Sequence, residues 1–122
     1  MERTDDELFS LSVEQQGRYR VVRLGGELDV LTTSRLRAAL NEQLVDEGQV
    51  HLVVDLTGLS FMDSSGLGTL VRAQRQARAL RGSFAVVCDD GPVLRVMTVT
   101  GLVHVLRVHD SLEAATADPH GA

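Results

Sequence analysis

Short, nearly continuous apolar runs alternate along this chain with longer stretches whose apolar residues recur every three or four positions. That alternation restricts the fold more than any other feature. Strand, helix and strand in succession require a crossover connection and a parallel sheet. Val50 to Leu56 and Phe84 to Cys88 are the clearest runs, apolar enough for strands covered on both faces. Leu36, Leu40 and Leu44, with Ala39 beside them, mark a helix over 33–45 with one buried stripe, which Thr32 or Thr33 can cap. A second helix over 65–81 places Leu67, Leu70, Val71, Gln74, Ala77 and Leu80 on or near one side, and Gly82 ends it.

The flanks extend this pattern. Phe9, Leu11 and Val13 alternate with Ser10 and Ser12, and after a turn at Gln16–Gly17 the run Tyr19 to Leu24 closes a hairpin. Gly25 and Gly26 predict a bend or bulge just beyond it. Pro92 opens a third helix that buries Val93, Val96 and Met97 and leaves at Gly101. Val103, Val105 and Leu106 predict a last strand reaching Val108, and 110–117 a final helix with Asp110 and Glu113 spaced as a capping-box variant. The order is ββαβαβαβα. It predicts one α/β domain over 8–117 whose mixed, mostly parallel sheet opens with a hairpin and has helices packed against it. Residues 1–7 and 118–122 are expected to be flexible.

Composition narrows the partners. At 122 residues the chain can bury one core without disulfide or metal staples. Its formal charge of −5 and its 3% aromatic content oppose a nucleic-acid backbone and a base-stacking platform. All 12 cationic residues are Arg. Cys88 has no second cysteine to pair with and reads as a small buried core residue, which fits a reducing compartment. No apolar run is long enough to span or insert into a bilayer, so a cytoplasmic location is expected.

Where the Val50–Leu56 run gives way to the second helix stands Asp63-Ser64-Ser65-Gly66. Asp and Ser are good helix caps, and taken alone the four residues say no more than that. They also place two hydroxyls at a helix N-terminus, where unpaired N–H groups favour an anion such as a phosphate. A nucleophile elbow would need Gly two before and two after the serine, but Ser64 has Met62 before it and Ser65 has Asp63 before it and Leu67 after it. A phosphate-binding P-loop needs a lysine, and the chain has none. A histidine base would have to come from His51, His104, His109 or His120, none in a suggestive context, and for a metal site His104 and His109 flank a predicted strand whose opposite faces separate their rings. Arg72, Arg75, Arg78 and Arg81 recur every third residue, a slanted stripe expected to face solvent.

Gly26-Glu27-Leu28-Asp29, then Asp55-Leu56 with Phe61-Met62-Asp63-Ser64-Ser65-Gly66-Leu67-Gly68, then Val99-Thr100-Gly101-Leu102 together resemble the STAS-domain anti-sigma factor antagonists, from about Phe9 to Ala117. The Met62–Gly68 block is the most specific of the three. The resemblance implies that Ser64, directly after Asp63, is a phosphoacceptor, and that the chain brings no catalytic machinery, cofactor, metal or small-molecule substrate of its own. It implies as partners an anti-sigma factor with serine kinase activity, bound by the unphosphorylated form so that a sigma factor is freed, and a separate serine phosphatase. The expected partner face joins the 26–33 loop to the 62–68 turn. Val30, Leu31, Met62 and Leu67 would supply apolar contact and Asp29 and Asp63 charge, with Ser64, Ser65 and Gly66 between them. A STAS module serving as an unphosphorylated scaffold of a membrane transport or signalling complex is the alternative.

Overall fold

The structure is a computed structural model that describes residues 2–5 and 8–117. Strands β1 (Glu2–Asp5), β2 (Phe9–Gln16), β3 (Tyr19–Leu28), β4 (His51–Met62), β5 (Ser83–Val87) and β6 (Val108–His109) form one sheet whose spatial order is their order in the chain. β1, β2 and β3 pair antiparallel, and β3 to β6 pair parallel. The helices are α1 (Thr33–Asn41), α2 (Ser64–Ala79), α3 (Pro92–Val99) and α4 (Leu112–Ala117). The mixed α/β architecture is thus the one expected, with β1 added at the edge inside the segment expected to fray. The other residues of the two segments expected to be flexible lie outside the described ones.

Strand alternation sorts the core into two layers. Leu52, Val54 and Leu56 of β4 with Phe84 and Val86 of β5 face α1, α2 and α3, where Leu36, Leu40, Leu70, Ala77 and Met97 meet them. Val53, Ala85 and Val87 face the other way and pack with Val21, Tyr19 and Ala115 of α4. Covering on both faces is why β4 and β5 read as unbroken apolar runs.

Several local expectations are corrected. β4 continues past the expected end of its run at Leu56, through Thr57 to Met62, because the far half of β3 pairs with it from Gly25↔Gly58 to Leu28↔Met62. The register shifts on either side of Gly25–Gly26 are the predicted bulge. Gly26 has φ +87°, and a Cβ there would lie 2.1 Å from the Leu8 carbonyl oxygen. α1 gives way at Glu42 to a π-helical turn ending at Asp46, which buries Gln43 so that its Oε1 accepts from Arg20 at 2.6 Å. At the end of α2 the left-handed residue is Arg81 (φ 62°), while Gly82 is required by space, since a Cβ would sit 1.8 Å from the Val50 oxygen. Leu80 is exposed, and Thr69 and Ala73 complete the buried stripe.

The predicted strand at 103–106 is a 3-10 turn over Leu102–His104, entered through left-handed Gly101. Only Leu106 of that run is buried, and the strand follows at Val108–His109. In α4 the Ser111 hydroxyl, not Asp110, accepts from a first-turn N–H, that of Ala114. Among the described residues no helix is long and apolar enough to cross a membrane.

Candidate functional site

β3 and β4 end side by side, Leu28 opposite Met62, and each runs directly toward a helix. The two strand-to-helix turns, 29–32 and 63–65, are therefore neighbours, joined by the Asp63 N–H donating to the Leu28 carbonyl at 3.1 Å. Loops at the carboxyl ends of parallel strands are where α/β folds place their sites.

Asp63 is the N-cap of α2. Its Oδ1 accepts from the backbone N–H of Ser65 (2.9 Å) and Gly66 (3.3 Å) and from the Ser65 hydroxyl (2.5 Å). The Ser65 hydroxyl, then the N–H groups of Gly66, Ser65 and Val30, hold this carboxyl below its ordinary value, while partial burial pushes the other way. One expectation changes here. The Ser65 and Gly66 N–H groups, expected to be open to a phosphate, are already taken by Asp63.

The two serines differ. Ser64, the first residue of α2, is exposed, and among the described residues no hydrogen bond engages its hydroxyl. Ser65 is half-buried, gives its proton to Asp63 and stands 3.0 Å from the buried Thr33 hydroxyl at the start of α1. Thr33 entered the sequence reading only as a possible cap. Its proximity to Ser65 comes from the side-by-side strand ends, which no local pattern encodes.

Asp29 organises the neighbouring turn. Its Oδ1 accepts from the N–H of Leu31 (2.9 Å) and Thr32 (3.1 Å), an Asx-type turn that throws the intervening side chains outward. Val30 and Leu31 are accordingly 74% and 81% exposed. The Thr32 hydroxyl, the N-cap position of α1, makes no cap bond and instead donates to the Glu27 carbonyl at 2.9 Å.

Met62 and Leu67 do not belong to this surface. They are 2% and 4% exposed, pointing with Leu28 into the helix-side core. Gly66 is also buried, and a Cβ there would lie 2.7 Å from Leu28 Cδ2 and 2.9 Å from Met62 Cγ. Strand alternation past the expected end of β4 turns Phe61 out instead, 48% exposed and paired with Glu27. Exposed Leu8, whose carbonyl accepts from the Glu27 N–H, lies at the same end of the sheet.

Among the described residues no group of three or more His, Cys, Asp or Glu side chains is gathered to hold a metal ion. A groove of about 380 Å³ between α1 and α2 is lined by Ser34, Arg37, Thr69, Arg72 and Gln76 among others, and does not include Ser64. Arg72, Arg75, Arg78 and Arg81 are all exposed.

A family model described as the STAS domain matches residues 10–115. The chain belongs to the STAS-domain family. This STAS domain is 32% identical over 103 residues to the anti-sigma F factor antagonist of Paenibacillus polymyxa, covering 84% of this chain and 88% of that protein. Among solved structures it is similar to an anti-sigma factor antagonist from Mycobacterium paratuberculosis, with TM-score 0.81 and 28% identity over 89% of this chain and 92% of that one. It is also similar to the Bacillus cell fate determinant SpoIIAA in the phosphorylated form, with TM-score 0.68 and 28% identity over 88% of this chain and 97% of that one.

Proposed function

We propose that this STAS domain is a cytoplasmic anti-sigma factor antagonist, switched by phosphorylation of Ser64. In its unphosphorylated form it binds an anti-sigma factor with serine kinase activity and so frees a sigma factor. The observation that carries this reading is the contrast at the start of α2: Ser64 is exposed, with no hydrogen bond to its hydroxyl among the described residues, beside a carboxyl held below its ordinary value and a loop that presents Val30 and Leu31. The relatives' names support the antagonist role.

The chain is a substrate in this scheme, not an enzyme. Ser64 Oγ attacks the γ-phosphorus of ATP held by the partner, the bond to the departing ADP oxygen breaks, and the hydroxyl proton passes to a base of the kinase. A serine phosphatase reverses the change by hydrolysis. Phosphoserine carries about −1.5 to −2 charges at neutral pH. At ~5 Å from a carboxylate, repulsion is on the order of 1 to 3 kcal/mol per pair of unit charges. Because Asp63 occupies the Ser65 and Gly66 N–H groups, the added phosphate has little local compensation and lies on the docking surface. Charge and bulk together weaken the complex without refolding.

The test is to mix the protein with purified anti-sigma factors and ATP, map phosphate by mass spectrometry, and titrate binding before and after. Phosphate on Ser64 with an affinity loss of about tenfold or more supports the switch, the size expected for one to two new repulsive charges. Ser64→Ala should bind but take no phosphate. A Ser64→Asp variant that binds as tightly as the native protein contradicts the electrostatic account.

A further inference from the structure

We infer that Thr33 is a positioning residue that decides which of the two adjacent serines is offered to the kinase, an inference that rests on the phospho-switch reading above. A serine hydroxyl has one proton and two lone pairs. Ser65 Oγ lies 2.5 Å from Asp63 Oδ1, and a carboxylate can only accept, so the Ser65 proton is committed to Asp63. The 3.0 Å contact between Ser65 and Thr33 must then be donated by Thr33, which occupies a lone pair of Ser65. What remains of that oxygen is half-buried between the starts of α1 and α2.

Phosphoryl transfer needs a lone pair aimed in line at the phosphorus and an oxygen that can release its proton to the kinase. In Ser65 the proton is held by Asp63 and one of the two lone pairs by Thr33 while this chain of hydrogen bonds is intact, so a single lone pair on a half-buried oxygen is left for attack. The Ser64 hydroxyl is exposed, and no hydrogen bond among the described residues holds its proton or its lone pairs. The same chain runs from Thr33 at the start of α1 through Ser65 to Asp63, so it ties the starts of the two helices together. Thr33 is itself 6% exposed, and its effect is exerted through Ser65.

The experiment compares native protein with Thr33→Val, Thr33→Ser and Ser65→Ala. With the anti-sigma kinase that phosphorylates the native protein, and ATP, peptide mapping reads the ratio of phosphate on Ser64 to phosphate on Ser65. Thr33→Val should lower that ratio about fivefold, the effect of losing one net hydrogen bond, and Thr33→Ser should restore it. A Thr33→Val protein with the native ratio overturns the inference. A second reading needs no kinase: amide hydrogen exchange at Ser65 and Gly66, whose N–H groups Asp63 accepts, should quicken in Thr33→Val and Ser65→Ala and return to the native rate in Thr33→Ser. If no anti-sigma factor phosphorylates the native protein, the functional reading fails and the exchange rates alone decide. Quickening reversed by Thr33→Ser supports the positioning role, and unchanged exchange overturns it.

Discussion

Asp63 concentrates more of this molecule's chemistry than any other single side chain. It caps a helix, holds the Ser65 proton and contributes the charge that a phosphate on Ser64 would meet. Its carboxyl sits below the ordinary value of 3.8, so the unfolded chain takes up this proton first as pH falls. The stability it supplies is complete above that value, declines as pH drops through and below it, and levels once the folded carboxyl is also protonated. Urea denaturation followed from neutral to strongly acidic pH should show this decline, and Asp63→Asn should flatten it. Val30 and Leu31 make the complementary point about surface. Replacing exposed Leu31 with Asp should weaken anti-sigma factor binding by about tenfold, the scale of an interface anchor, with the melting temperature unchanged. The same substitution at Met62 should unfold the protein, because that side chain is core.

At the scale of elements, the turn between β4 and α2 depends on close packing as much as on its cap. A side chain at Gly66 would press on Leu28 and Met62, which anchor the ends of β3 and β4. Gly66→Val should cost about 1–3 kcal/mol by overpacking, read as a lower urea midpoint at unchanged slope. It should also displace Ser64 and slow its phosphorylation. Much of this architecture is legible in the residue order. The Gly25–Gly26 bulge, the two-faced strands and the capped start of α2 all follow from local patterns. The length of β4 does not, since Thr57, Gly58 and Ser60 look like a loop until β3 is there to pair with them. Nor does the turn at Leu102–His104. Its apolar residues suit a strand, but Gly101 takes a left-handed conformation, and of that run only Leu106 reaches the core. Within the site, Asp63 and both serines could be found from sequence. Thr33 and Phe61 could not, because their places depend on pairing between distant segments.

For the molecule as a whole, the layers put the serine turn at one end of a sheet whose middle is sealed on both faces. Cys88 lies just past β5 in that sealed region, 3% exposed. Burial first, then the charges of Asp89 and Asp55, push its thiol up to about 11. At neutral pH roughly one thiol in ten thousand is ionised at that value, and reactivity follows the thiolate. A thiol reagent should therefore modify the native protein orders of magnitude more slowly than the unfolded chain. Its rate in rising urea should follow the same midpoint as circular dichroism; labelling well below that midpoint would reveal local opening beside β5.

Tyr19 packs at the opposite end of β3 from Leu28, edge-on to His51 with ring centroids 6.4 Å apart. β3 is ten residues long from end to end, a span of ~30 Å. It is the one tyrosine, and the chain has no tryptophan. The molecule therefore carries its intrinsic fluorophore at the end remote from Ser64. A partner bound at the serine turn would be optically silent from this side of the complex, and a spectroscopist must place a reporter there.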